Sequence, residues 1–298
     1  MRKPDFFIVG APKCGTTALY RCLEAHPEIF VPERKEIHFF GADLVSPTYV
    51  RDLDEYLRLF AGAGDAKRAG EASVWYLFSK RAAQEIKEFY HEAGIIIMLR
   101  NPVDMIYSLH SQHLFNGTED IQDFAEALRA EVDRKQGRRL PQRVPAVERL
   151  FYREVAKYTD QVDRYLKTFG SKNVKVIIYE DFQKDPARIC RETFAFLKVD
   201  AGVEPRIGVV NPNKQLRSKA VQAILNQPPR LLSKIARPLT TPALRHRLFA
   251  TAQAWNTNYA PRSPLPDELR QKLRWEFAPE IERLSTLLNL DLNHWSQS

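Results

Sequence analysis

A chain of 298 residues with 44% apolar content is long enough to bury a sizeable core, as one large α/β domain or two smaller ones. Its 45 lysines and arginines against 37 acids give a formal charge of +8 and a pI near 9.3, so the expected partner is anionic: nucleic acid, a membrane surface or a multiply charged small molecule. No run approaches the roughly 18 apolar residues of a membrane span, the opening "MRKPDFFIVG" is too short in apolar residues for a leader core, and Cys14, Cys22 and Cys190 suit neither a disulfide framework nor a metal set; a cytoplasmic chain with free thiols is expected.

In chain order, "FFIVG" at residues 6–10 reads as a short buried strand, and the Gly15-Thr16-Thr17 turn opens a helix whose Leu19, Cys22, Leu23 and His26 recur at helical spacing. Strand, tight loop and helix N-terminus together make an anion site, because the first-turn N–H groups lack partners and the helix dipole adds positive charge. Lys13 lies inside the loop rather than beside the hydroxyl residue, so the loop is not of the G-x-x-x-x-G-K-[ST] type. Thr16 and Thr17 are hydroxyl donors that can also cap the helix. "PERKEIHFF" at 32–40 then brings Lys35, Glu36 and His38. In an extended segment Glu36 and His38 point to one side, as proton abstraction from a hydroxyl or amine requires; a polar connector without chemistry is the other reading.

The run "IIIMLR" at 95–100 and "VKVIIYEDF" at 174–182 read as strands buried on both faces of a parallel sheet. Arg100 stands at a strand's carboxyl end, Pro102 suits the first turn of the next helix, and Ser108 follows about two turns on. Such an arginine grips a phosphate bidentately with a seryl hydroxyl as additional donor, or makes a structural salt bridge. His110 and His113 in "HSQH" lack a nearby third ligand, so no metal is expected. Helical patterns cover 80–92, 103–115, 120–136 and 145–169. Alternation of strands and helices predicts a three-layer α/β, P-loop-like fold with a central parallel sheet flanked by helices, in one domain over 1–298, and ligands at the carboxyl ends of the strands. The basic run "RKQGRR" at 134–139 reads as a solvated loop, so nucleic acid is not expected. Residues 226–262 form a proline-punctuated basic segment, a lid or acceptor-side wall, and 266–290 a packing helix with a break or kink at Pro279.

Taken in order, "IVGAPKCGTTALY", "KEIHFF", "GEASVWYL", "LRNPVDMIYS", "VIIYEDFQKDP" and "LNLDLNHW" resemble sulfotransferases that use 3′-phosphoadenosine-5′-phosphosulfate (PAPS), among them bacterial members and the sulfotransferase domains of heparan sulfate enzymes. The resemblance implies that Pro12, Lys13, Cys14, Gly15, Thr16 and Thr17 cradle the 5′-phosphosulfate and that Arg100 and Ser108 hold the 3′-phosphate. It further implies that Glu36 is the catalytic base with His38 assisting, that Tyr179 approaches the adenine, and that Lys214 and Arg217 form a late phosphate-gripping loop. From the residues alone, Tyr179 reads equally as a strand-end core aromatic. Ala72 stands where many heparan-type enzymes carry a lysine, which argues against a heparan-like acceptor. The implied reaction is in-line sulfuryl transfer to a small-molecule or glycan acceptor, without a metal. Two other readings stay open on the residues: a P-loop nucleotide kinase using carboxylates of "VIIYED", and a noncatalytic nucleotide- or nucleic-acid-binding module.

Overall fold

A computed structural model describes residues 2–206, 214–217, 221, 251–252, 255–259 and 262–297. Five strands, β1 (Phe6–Gly10), β2 (Ile29–Phe30), β3 (Arg68–Ala72), β4 (Gly94–Leu99) and β5 (Val174–Ile178), form a sheet in the order β2-β3-β1-β4-β5, and every neighbouring pair is parallel. The apolar side chains of β1 and β4 are wholly buried, which is why both strands read as unbroken apolar runs: helices cover the sheet on its faces. The expected α/β architecture with a parallel sheet flanked by helices is present. β3 escaped prediction because its sequence, "RAGEA", has no apolar run. Its Gly70 has a packing reason, since a Cβ there would lie 2.5 Å from the Phe6 ring and carbonyl.

The helices of the described residues are α1 (Thr16–Glu24), α2 (Leu53–Arg58), α3 (Ala82–Phe89), α4 (Pro102–Asn116), α5 (Phe124–Arg134), α6 (Tyr152–Val155), α7 (Tyr158–Phe169), α8 (Tyr179–Lys184), α9 (Pro186–Phe196), α10 (Asp267–Leu288) and α11 (His294–Gln297). α4 begins as anticipated, with Pro102 in its first turn and the Asn101 side chain accepting from the Val103 N–H at 3.0 Å. Four expectations change. The strand expected over 174–182 stops at Ile178, and its polar end "YEDFQK" is helical. The helix expected over 145–169 is three pieces, a 3₁₀ turn at Val147–Leu150 followed by α6 and α7. α10 runs through Pro279 without a break. The carbonyl that proline leaves unbonded is that of Trp275, a residue 75% exposed, so water can take the bond. Arg134, the first residue of the supposed solvated loop, is buried on α5 against Glu119.

The cysteine expectation also changes. Cys22 on α1 and Cys190 on α9 are joined as a disulfide across 168 residues, and Cys14 alone is free and buried. Packing of α1 on α9 brings the pair together, a contact that spacing along the chain does not announce. The C-terminal segment is tied to the sheet's carboxyl edge: the Asn101 side-chain amide donates to the Trp295 carbonyl at 3.0 Å, and the Trp295 indole N–H to Glu180 at 3.3 Å. Among the described residues no helix is long and apolar enough to cross a membrane. A two-stranded antiparallel sheet pairs β6 (Lys214–Leu216) with β7 (Thr257–Tyr259); the expected lid or wall over 226–262 lies mostly outside the described residues.

Candidate active site

A cavity of about 910 Å³ opens at the carboxyl ends of β1, β3 and β4, where open parallel sheets place ligands. One end is the loop after β1. Gly15, at the start of α1, has φ 86° and no side chain caps the helix, so the capping role expected of Thr16 and Thr17 is not taken up, and the uncapped first turn, Gly15 to Ala18, lines the cavity. An L side chain at Gly15 would be strained and would also meet the Tyr179 ring at 2.8 Å. Pro12, Lys13, Gly15, Thr16 and Thr17 line the cavity. Lys13 is held at φ 63° and its Nζ donates to Gln112 at 3.0 Å. Cys14, expected in the cradle, is not among the residues that line the cavity: its thiol is buried against the Pro12 carbonyl, and that burial pushes its pKa up to about 12.

Beyond the loop, Arg100 and Ser108 both line the cavity. The Arg100 guanidinium lies over the Tyr179 ring, 4.8 Å from its centre, and Tyr179 is 7% exposed, wedged between that guanidinium and the Gly15 turn. A residue absent from the sequence reading completes this corner. Arg262 donates to Ser108 at 3.1 Å and to Ser111 at 2.8 Å, and lies over the Tyr107 ring. Burial first, and the like charge of Arg100 second, hold the Arg262 pKa below its ordinary value. Two arginines and two seryl hydroxyls so gathered fit a multiply charged phosphate, which relieves the repulsion. Of the two basic residues expected in the late loop, Arg217 is exposed, with its N–H donating to the Asn256 carbonyl at 2.8 Å, and the side chain of Lys214 lies outside the described residues.

At the other end, Glu36 and His38 converge, but not through an extended segment. Both sit in the left-handed region, φ 61° and 53°, and the Glu36 carboxylate meets His38 Nε2 at 3.0 Å. The strap from Glu36 to Phe40 is fixed from below: the Glu36 N–H donates to the Ala72 carbonyl at 3.0 Å, the His38 N–H to Ser73 Oγ at 3.0 Å and the Phe40 N–H to the Tyr76 hydroxyl at 3.2 Å. Those hydroxyls in turn donate to buried Glu71, Ser73 at 2.7 Å and Tyr76 at 2.9 Å, with Tyr56 as third donor at 2.8 Å. Strained φ values cluster where surrounding structure dictates them, and here three backbone bonds and a four-residue network do so. Desolvation raises the Glu36 pKa, but the Lys35 ammonium, in contact with the carboxylate, and the His38 hydrogen bond outweigh it and bring it down to about 2. Burial lowers the His38 pKa, so at neutral pH a neutral imidazole donates Nε2–H to an ionised carboxylate. Ala72 is fully buried.

Over residues 3–222 the sequence matches the sulfotransferase domain family. The chain belongs to that family. It is 32% identical to the crystallised sulfotransferase from Alicyclobacillus acidocaldarius, with 99% of each chain covered and a TM-score of 0.74. It is 28% identical over 208 residues to human bifunctional heparan sulfate N-deacetylase/N-sulfotransferase 3, covering 66% of this chain and 22% of that protein, and 31% identical over 167 residues to human carbohydrate sulfotransferase 15, covering 42% and 30%. The chain thus spans less than a third of the length of these two human relatives.

Three further residues of this sulfotransferase line the cavity without having drawn notice in the sequence: Tyr49, Trp75 and Arg149. The Tyr49 ring packs against His38 at a tilt of 38°, with ring centres 4.5 Å apart. No local pattern announces them, because they come from a loop, from the turn after β3 and from the 3₁₀ turn before α6. His110 and His113 are engaged separately, His110 with the Ile121 carbonyl and His113 with the Thr118 hydroxyl, each at 2.9 Å.

Proposed function

We propose that this sulfotransferase transfers a sulfuryl group from PAPS to a hydroxyl or amine of a small-molecule or glycan acceptor, with Glu36 as base. The observation that carries the reading is the presence, in one cavity, of an uncapped basic loop at one end and an ionised carboxylate at the other. When bound, PAPS supplies the sulfuryl group. Lys13 and the N–H groups opening α1 neutralise anionic charge at the loop, each preorganised donor contributing about 3 kcal/mol where charge develops. Arg100, Arg262 and Ser108 hold a second phosphate, and Tyr179 supports both the loop and Arg100. Glu36 takes the proton from the acceptor's attacking group, a contribution of about 10²- to 10⁴-fold, while His38 fixes the carboxylate's orientation. Glycan acceptors draw support from the carbohydrate enzymes among the relatives.

A kinase would need a metal-binding carboxylate after β5. Glu180 instead accepts from the Asn101 N–H at 3.2 Å and from the Trp295 indole, and neither it nor Asp181 lines the cavity. Calorimetric titration with adenosine 3′,5′-bisphosphate in EDTA tests the reading. Wild type is expected to bind in the micromolar range, Lys13→Ala and Arg100→Ala to lose binding, and Glu36→Gln to keep it while losing turnover. Wild type that does not bind the bisphosphate overturns the reading.

A further inference from the structure

The cavity carries more positive charge than the donor engages. Among its described lining residues are five cations, Lys13, Lys35, Arg100, Arg149 and Arg262, and one carboxylate, Glu36. On the sulfotransferase reading, on which this inference rests, Lys13, Arg100 and Arg262 serve the donor, and Lys35 is in contact with Glu36. Arg149 is left over. Its guanidinium lies between the rings of Tyr49 and Trp75, 5.2 and 4.9 Å from their centres, and its Nε and Nη2 are buried without a hydrogen-bond partner. The Tyr49 hydroxyl is buried and without a partner as well. Burial lowers the Arg149 pKa to about 10, with the charge of Glu36 acting against that, so the group is still a cation at neutral pH.

Buried charged donors without partners are strongly unfavourable, and in native proteins such exceptions mark places that something else completes. The aromatic pair fixes the plane of the guanidinium, whose donor fork matches a carboxylate, sulfate or phosphate bidentately. The site's position fits an acceptor: His38, the partner of Glu36, packs against the Tyr49 ring, and Arg149 lies over that same ring, so Arg149 lies one ring beyond the proposed base. We infer that the acceptor is an anion, docking a carboxylate, sulfate or phosphate on Arg149 while its hydroxyl or amine reaches Glu36.

The test uses enzyme saturated with adenosine 3′,5′-bisphosphate and two pairs of probes that differ in one charge: p-nitrophenyl β-D-glucuronide against the glucoside, and 4-hydroxyphenylacetate against its amide. Binding is read by calorimetry. Wild type is expected to prefer the anion in at least one pair by about tenfold or more, Arg149→Met to erase the preference, and Arg149→Lys to keep part of it. Affinity for the bisphosphate should stay within about twofold in both variants, which also reports that they fold. Wild type that does not bind the bisphosphate overturns the parent reading and this inference with it. Intact bisphosphate binding with no preference for either anion, with no probe bound, or with the preference retained in Arg149→Met overturns this inference alone.

Discussion

Glu36 is held ionised by the side chain before it and the one two places after it. That makes it a ready but weak proton acceptor, since a carboxyl at about 2 lies far below the pH at which it would accept most strongly. The Lys35 charge is the largest single influence that lowers it. In Lys35→Ala, desolvation is left opposed by His38 and by the Val74 N–H, which donates to the Glu36 carboxylate at 3.1 Å, so the Glu36 pKa rises. The acid limb of kcat/KM against pH, which reports the free enzyme's base, is expected to move to higher pH; a limb that stays in place would remove Glu36 as its origin. The spacing of Glu36 and His38 was readable from the sequence, yet the geometry that joins them was not. Convergence depends on two left-handed residues imposed by Ala72, Ser73 and Tyr76. Arg149 was unreadable for a related reason, because its significance comes from two rings far away in the chain.

Among the elements, the wall that includes α4, α5 and α6 depends on one buried ion pair. Arg134 on α5 donates from Nη1 and Nη2 to both oxygens of Glu119, at 2.8 and 2.6 Å, and the Tyr152 hydroxyl of α6 donates to the same carboxylate at 2.8 Å. Both side chains of the pair are fully buried. Removing one partner leaves an uncompensated charge, so Arg134→Met is expected to destabilise the protein by about 3–5 kcal/mol, and the double variant with Glu119→Leu to recover much of that loss. Urea unfolding checks both, and a double variant as unstable as the single one would contradict the account. The sequence presented Arg134 as the head of a basic surface run. Its neighbours Arg138 and Arg139 do lie at the surface, 60% and 41% exposed, in ion pairs with Asp133 and Glu126. Helical rotation turns Arg134 inward, and only the position of Glu119 shows why it is there.

Across the whole molecule, the network that supports the Glu36 strap is also a pH-sensitive part of the fold. Burial raises the Glu71 pKa to about 7, and the donors Ser73, Tyr56 and Tyr76 only partly offset it. The folded protein therefore binds a proton at Glu71 that the unfolded chain, with a carboxyl near 4.5, has already released. This contribution to stability is fully present below about pH 4.5 and is lost as pH rises through 7. Glu71→Gln, which cannot ionise, is expected to flatten the fall in unfolding free energy between those limits; an unchanged slope in urea melts would show that Glu71 is not its source. The sequence by itself determined the strands β1, β4 and β5, the basic loop that opens α1 and the close spacing of Glu36 and His38, because each is written in contiguous residues whose periodicity or spacing is local. The tertiary structure decided the rest: β3 beside β1, the Cys22–Cys190 link, Arg262 in place beside Arg100 and Ser108, and Tyr49, Trp75 and Arg149 as one wall. Those features join residues far apart in the chain, and what holds them together is burial and packing between elements, which leave no repeating mark on the local sequence.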